Sequence, residues 1–172
     1  AERGISLSIA NRFCSEIRYN NTNRTYYAIG FANDAGGWEI RSPYFKGCIA
    51  PKAITTIIKA TDVLQIFEGF MDFLSWQTLN PSSTCDTIVL NSLALLPRIQ
   101  EKIKGYKQVE SFLDNDDAGR KSFEVLKHFC PSIIDGSVRY QTHKDLNEWL
   151  VAQSKVKEKQ MLLPTIKRGI RR

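Results

Sequence analysis

Three carboxylates in this chain stand where they could do metal chemistry. Glu68 closes the apolar run Val63-Leu64-Gln65-Ile66-Phe67, and Gly69-Phe70-Met71-Asp72 follow it. Asp114 and Asp116 straddle Asn115 at the close of Val109-Glu110-Ser111-Phe112-Leu113, with Asp117-Ala118-Gly119-Arg120 after them. Short apolar runs bounded by Gly and Asp read as buried strands of a parallel sheet. In such sheets ligands sit outside the carboxyl ends of the strands, so Glu68, Asp114 and Asp116 are expected on one rim. Crowded carboxylates repel one another, and a divalent cation relieves the repulsion. Hard oxygen ligands select Mg²⁺ or Mn²⁺. Local roles compete at each position, because a strand-end carboxylate can also cap a helix or close a turn. Two motifs on two strand ends weigh against those local roles for Glu68, Asp114 and Asp116. Asp117 reads as the N-cap of the next helix. Asp72 falls in a first helical turn, where it either favours the helix dipole or joins the metal set.

These residues also carry a resemblance. Glu68 to Asp72 and Asp114 to Arg120 are similar to the two signature motifs of the Toprim domain, in the form found in bacterial-type primases. Lys144-Asp145-Leu146-Asn147-Glu148-Trp149-Leu150 resembles the Lys-Asp-x-Asp-Glu segment that follows in those primases. The likeness covers roughly 61–151 and keeps the family's order, although topoisomerases and some nucleases resemble this domain as well. It implies an α/β fold, a Toprim-like parallel sheet flanked by helices, and a metal-dependent nucleotidyltransferase. That enzyme would make RNA primers from NTPs on single-stranded DNA in the cytoplasm, with room for a helicase among its partners. On this resemblance Glu68 is an acid/base or metal ligand, and Asp145 joins Glu68, Asp114 and Asp116 around the metal. Asn147 stands where primases usually have a second Asp, so one carboxylate is lost. Asp117 stands where many primases carry a basic residue. Arg120, Lys121 and Lys144 are either phosphate contacts or parts of a solvated face. Two alternatives stay open: a nuclease or topoisomerase-like module using the same carboxylates, and a nucleic-acid-binding module without catalysis. A phosphatase using the first Asp of Asp-x-Asp as nucleophile is disfavoured, because the Glu68 strand comes first.

The elements that must position these groups fall into two parts. Residues 61–153 alternate strand and helix: strands end at Glu68, Leu90 and Leu113, a short one spans Val138–Gln141, and helices cover Phe70–Leu79, Pro97–Lys104, Ala118–Phe129 and Asp145–Gln153. Such alternation implies a parallel sheet with right-handed crossovers. Residues 1–60 form a small mixed α+β subdomain, with helical spacing over Ile5–Ile17, strands at Thr25–Ala32 and Trp38–Arg41, a hairpin turn at Asn33–Gly37 and a loop at Ser42–Gly47. There Arg24, Arg41 and Lys46 interleave with Tyr26, Tyr27, Trp38 and Tyr44 as candidate phosphate and base-stacking contacts. Residues 154–172 are a basic tail. From Lys155 to Arg172 seven basic residues accompany one acidic residue, which accounts for the whole net charge of +6. The tail is either a solvated helix or a nucleic-acid contact.

Cys14, Cys48, Cys85 and Cys130 are far apart with no C-x-x-C pair, so no zinc site and mostly buried reduced thiols are expected. No apolar stretch is long enough to span a membrane. The chain opens at Ala1 without Met and stops at Arg171-Arg172, so a fragment of a longer protein, without its zinc-binding domain, is expected.

Overall fold

The computed structural model describes residues 3–21 and 23–162. Helix α1 (Leu7–Phe13) leads into an antiparallel meander of β1 (Ser15–Asn21), β2 (Arg24–Ala32), β3 (Trp38–Arg41) and β4 (Lys46–Ile49). A second sheet follows, built from β5 (Thr55–Ile57), β6 (Val63–Phe67), β7 (Asp86–Val89), β8 (Gln108–Phe112) and β9 (Ile134–Asp135). Its order is β5-β7-β6-β8-β9. Strands β6, β7, β8 and β9 run parallel, while β5 pairs antiparallel with β7 at one edge. Helices α2 (Phe70–Leu79), α3 (Gln100–Ile103) and α4 (Asp117–Phe129) lie in the connections, with a 3₁₀ turn at Leu93–Ile99, and a second 3₁₀ turn at Gly136–Tyr140 and helix α5 (Leu146–Leu162) follow β9.

Several local expectations are corrected. The helical spacing over Ile5–Ile17 breaks after Phe13, and Ser15–Asn21 instead pairs along the length of β2. Ladder pairing outweighed a weak helical pattern, since β-propensity is mostly packing against a neighbouring strand. The expected loop at Ser42–Gly47 ends early, because Lys46–Ile49 continues the meander as β4. Thr55–Ile57 is the edge strand of the second sheet. The short strand expected over Val138–Gln141 is a 3₁₀ turn, and the strand itself lies at Ile134–Asp135. Helix α5 runs beyond Gln153 to Leu162 and carries Lys155, Lys157 and Lys159 on an exposed stretch. Lys167, Arg168, Arg171 and Arg172 lie outside the described residues. None of the four cysteines is paired, and Cys48 is exposed rather than buried. Among the described residues, no helix is long and apolar enough to cross a membrane.

Both faces of the second sheet are covered, which is why its strands read as nearly continuous apolar runs. On one face Leu64, Ile66, Ile88, Val109 and Leu113 pack with Ile99, Ile103 and Leu126 from the helices. On the other, Phe67, Val89 and Phe112 pack with Phe70, Phe73 and Leu74 of α2 and with Tyr140 and Leu146. That second cluster also takes in Ile9 of α1 and Phe31 of β2. The Phe31 ring stacks on Phe70 with centroids 5.4 Å apart and leans on Phe73 at 5.7 Å. One aromatic from the meander therefore anchors it on the helix that begins just after Glu68.

Candidate functional site

Glu68 follows the last residue of β6, and Asp114 stands two residues beyond the end of β8. These strands are neighbours in parallel register, with Phe67 opposite Phe112, so the two motifs emerge side by side. The Asp114 backbone N–H donates to Glu68 Oε2 at 3.1 Å, and the Glu68 N–H donates to the Phe112 carbonyl at 3.2 Å. Glu68 is half-buried and its carboxyl is pushed up from the ordinary value. Burial is the largest cause, the Asp114 N–H opposes it, Asp116 adds repulsion, and Lys46 and Lys144 draw it back. Lys46, the first residue of β4, is thus near enough for its charge to act on Glu68.

Asp114 is pushed further, to about 7, by burial and then by Glu68, Asp145 and Asp116, with Lys144 in partial opposition. Asp72, on the first turn of α2, is buried and lies well above the usual carboxylate range. Burial is again the main cause, followed by repulsion from Asp145 and Asp114, and the Asn147 N–H at 3.3 Å compensates only in part. Glu68, Asp72, Asp114, Asp116 and Asp145 thus share one electrostatic neighbourhood, assembled from three stretches of chain. Gly69 is less of a hinge than its type suggests. Its φ is −129°, which any residue adopts, and a Cβ there would stand 3.3 Å from Asp72 Oδ2. Gly119 has a stronger reason: a Cβ would collide with the carbonyl oxygen of Asp114.

The structure sorts the remaining acidic positions. Asp116, not Asp117, caps α4, with its Oδ1 accepting from the Ala118 and Gly119 N–H groups at 3.0 and 2.9 Å. Those bonds commit Oδ1 to capping. Asp117 is the first residue of the helix and pairs with Arg120 at 2.5 Å. Arg120 also donates to the Asn115 carbonyl at 2.9 Å, so it braces the loop. Lys121 is exposed beside it on α4. Asp145 caps α5 through the Glu148 N–H at 2.7 Å, and Glu148 in turn accepts from the Lys144 N–H at 2.8 Å, a reciprocal arrangement of the capping-box type. The Asn147 side chain is engaged by Arg3 and Ser75. Its Nδ2 donates to the Arg3 carbonyl and to Ser75 Oγ, both at 2.9 Å, and its Oδ1 accepts from Arg3 at 3.1 Å. It ties the start of the chain to α2 and α5 and is nearly inaccessible. Arg41 is half-buried at the end of β3, directly opposite Lys46 in register.

Two residues that sequence reasoning passed over complete the assembly. The Asn115 side chain donates to the Tyr140 and His143 carbonyls at 2.9 and 3.0 Å, and its own N–H donates to the Lys144 carbonyl at 2.7 Å. The buried Tyr140 hydroxyl donates to the Leu113 carbonyl at 2.8 Å. Neither pairing leaves a signal in sequence, because each partner is a backbone carbonyl.

Two cavities are present, and the first includes a residue of the rim. One, of about 390 Å³, lies beside α4 and includes Asp114, Asn115, Lys121, Asp135 and Ser137. The other is a cleft of about 690 Å³ between the meander and the α1–α2 side, lined by Arg3, Tyr27, Ile29, Arg41 and Met71 among others.

The donors are all hard oxygens, and their crowding is what a cation would relieve, so their chemistry suits Mg²⁺ or Mn²⁺. No group of three His, Cys, Asp or Glu among the described residues stands close enough to form a ready-made cage. Mg²⁺ is usually held by one or two carboxylates with water and phosphate oxygens completing the shell, so an open rim is compatible with it.

A parallel-containing sheet flanked by helices, with acidic strand ends on one rim, defines a class. Residues 65–150 match the family model described as Toprim-like, and the chain belongs to that family. Residues 1–50 match a domain of unknown function. The chain has the fold of the primase fragment of the bacteriophage T7 primase-helicase protein, with TM-score 0.66 and 15% identity over 94% of this chain and 71% of that one. It is similarly like a bacteriophage T7 structure in which lagging-strand DNA polymerase interacts with primase domains bound to an RNA/DNA hybrid and dTTP: TM-score 0.65, 15% identity, 92% of this chain and 86% of that one. The Aquifex aeolicus primase, with its zinc-binding and RNA polymerase domains, gives a TM-score of 0.56 at 15% identity, over 92% of this chain and 53% of that one. No curated protein matches the sequence.

Proposed function

We propose that this chain is the catalytic core of a primase-type nucleotidyltransferase that makes RNA primers from NTPs on single-stranded DNA. The observation that carries the reading is the convergence of Glu68, Asp114, Asp116 and Asp145 with the buried Asp72, each raised carboxyl owing part of its shift to the others. A carboxyl raised above its ordinary value holds a proton more readily than a free one, which suits it to proton transfer. Glu68 would accept the proton of the attacking 3′-hydroxyl. Its Asp114 N–H bond holds one oxygen fixed and leaves the other for this task. Mg²⁺ or Mn²⁺ at Glu68, Asp114, Asp116 and Asp145 would supply charge stabilisation at the phosphoryl oxygens. Lys46 and Lys144, whose fields already reach Glu68, would attract the triphosphate. Lys121 would contact phosphate farther along α4, while Arg120 acts on the loop. The cleft lined by Arg3, Arg41 and Tyr27 would take the template, offering guanidinium groups to phosphates and a ring to bases. Single-stranded DNA, NTPs and a helicase are the partners this reading names, in the cytoplasm.

The test is primer synthesis from NTPs on single-stranded DNA by wild type and Glu68→Gln. Gln keeps the shape but takes no proton, so synthesis should fall by about 10²–10⁴-fold with an unchanged thermal melt. Synthesis at the wild-type level would refute the role of Glu68. A second reading, nucleic-acid binding without catalysis, draws on Asn147, whose side chain is engaged by Arg3 and Ser75. Under that reading wild type binds single-stranded DNA and makes no primer with any NTP.

A further inference from the structure

Asn115 lies between the two carboxylates of the second motif, yet its bonds all run elsewhere. Its carboxamide donates to the carbonyls of Tyr140 and His143, and its backbone N–H donates to that of Lys144. The stretch it holds leads directly into Lys144 and Asp145, two of the groups whose charges act on Asp114. We propose that Asn115 is a positioning residue that locks residues 140–144 to the end of β8 and so holds Lys144 and Asp145 at the acidic rim. The proposal deepens the metal-dependent reading of that site, and only its metal arm rests on that reading.

The chemistry of the side chain supports the assignment. Serving two carbonyls from one short, planar side chain requires two N–H donors, which Asn has, Asp lacks and Ser offers only in half. Residues 141–145 have no strand or helix of their own to fix their course. The start of α5 is held internally by the Asp145–Glu148 and Glu148–Lys144 bonds. Those bonds travel with the helix and say nothing about its distance from β8. Among the described residues, the hydrogen bonds between the approach of α5 and the end of β8 are those of Asn115 and that of the Tyr140 hydroxyl to the Leu113 carbonyl, beside the packing of Leu146 with Phe112. Arg120, bonded to the Asn115 carbonyl, fixes the same peptide from the α4 side. One residue thus registers the second motif against the third.

The experiment uses the intact chain and the variants Asn115→Ala, Asn115→Ser, Asn115→Asp, Asp145→Asn and Asn115→Ala/Asp145→Asn. Backbone hydrogen exchange is read over 141–148, and affinity for Mn²⁺ alone is read by calorimetry. Asn115→Ala should speed exchange in 141–148 while β6 and β8 stay protected, with Asn115→Ser between it and wild type. It should weaken Mn²⁺ binding by about 10- to 100-fold, the usual effect of losing a group that orients a ligand. The double variant should bind no more weakly than Asp145→Asn alone, since both remove the same ligand from its place. Asn115→Asp is the sharpest arm: it adds a carboxylate but removes both donors, and it should bind Mn²⁺ more weakly than wild type. Unchanged exchange in Asn115→Ala, additive losses in the double variant, or tighter binding by Asn115→Asp would each overturn the proposal. Failure of wild type to bind Mn²⁺ would overturn the metal reading of the rim, and the exchange arm would still decide for or against the lock.

Discussion

The two ends of the parallel sheet treat their carboxylates in opposite ways. At the amino end Asp86, the first residue of β7, is almost inaccessible yet fully served. Its Oδ1 accepts from the Lys59 N–H at 2.8 Å, the Thr61 N–H at 3.3 Å and the Thr61 hydroxyl at 3.4 Å, and its Oδ2 accepts from the Tyr106 hydroxyl at 2.8 Å. Burial pushes this carboxyl up, but the donors outweigh it and hold it below the ordinary value. At the carboxyl end Asp114 also meets burial, but it faces Glu68, Asp145 and Asp116 and rises to about 7. The same residue type in the same sheet is a clasp at one end and a strained charge at the other. A carboxylate surrounded by donors stabilises the fold. One surrounded by carboxylates does not, and it persists where something else is to be bound.

Removing the clasp should have the largest effect on folding. Asp86→Ala leaves the Lys59 and Thr61 N–H groups and the Tyr106 hydroxyl without their acceptor. The expected loss is about 3 kcal/mol in urea unfolding, with Mn²⁺ binding by the remaining folded protein unchanged. A loss below about 0.5 kcal/mol would show that water replaces the carboxylate there.

Asn147→Asp tests whether the rim can be enlarged. The substitution supplies the carboxylate that the resemblance leads one to expect, but at a position buried against Arg3 and Ser75 and beside Asp72. Melting should fall, by about 1–3 kcal/mol of stability, and Mn²⁺ affinity should not rise. Tighter Mn²⁺ binding would mean that position 147 can turn outward.

The pH dependence of the two ends should differ in sign. Asp86 has a lowered carboxyl, so its contribution is present above the unfolded value and is lost as pH falls through the folded one. Asp114 has a raised carboxyl, so its contribution is full below the ordinary value near 3.8 and is lost as pH rises toward about 7. Without metal, Asp114→Asn should therefore gain stability relative to wild type across that interval, by about 1 kcal/mol near neutrality. Mn²⁺ affinity of wild type should climb over the same interval, because a ligand must lose its proton. A wild-type minus Asp114→Asn difference that is flat with pH would contradict the crowding.

The smallest effect is expected on α5. Exchanging Lys155, Lys157 and Lys159 for Gln removes three exposed charges. If they meet phosphate, single-stranded DNA affinity at low salt should drop several-fold, and the salt slope should shrink by up to about 0.7 per contact. Equal slopes by fluorescence anisotropy would make this stretch of α5 a solvated helix.

The acidic strand ends were legible because burial, period and punctuation coincide there. Val63–Phe67 and Val109–Leu113 are too apolar for anything but a covered strand, and Glu68 and Asp114 stand just where each run stops. The meander was less legible. Ser15–Asn20 is largely exposed, and the strand takes its conformation from β2. The cap fell to Asp116 rather than Asp117 because a shift of one residue in a helix start decides which carboxylate reaches the free N–H groups.

By itself the sequence determined the alternation of elements, the two acidic strand ends and the identity of the third motif, since each depends on residue type at short spacing. Only the tertiary structure decided that Asn147 faces inward, that Asp72 joins the acidic neighbourhood, and that Asn115 and Tyr140 join β8 to the approach of α5. These depend on contacts between residues 25 or more positions apart. A polar side chain that bonds to a distant backbone carbonyl leaves no periodicity, because every residue in the chain offers the same carbonyl.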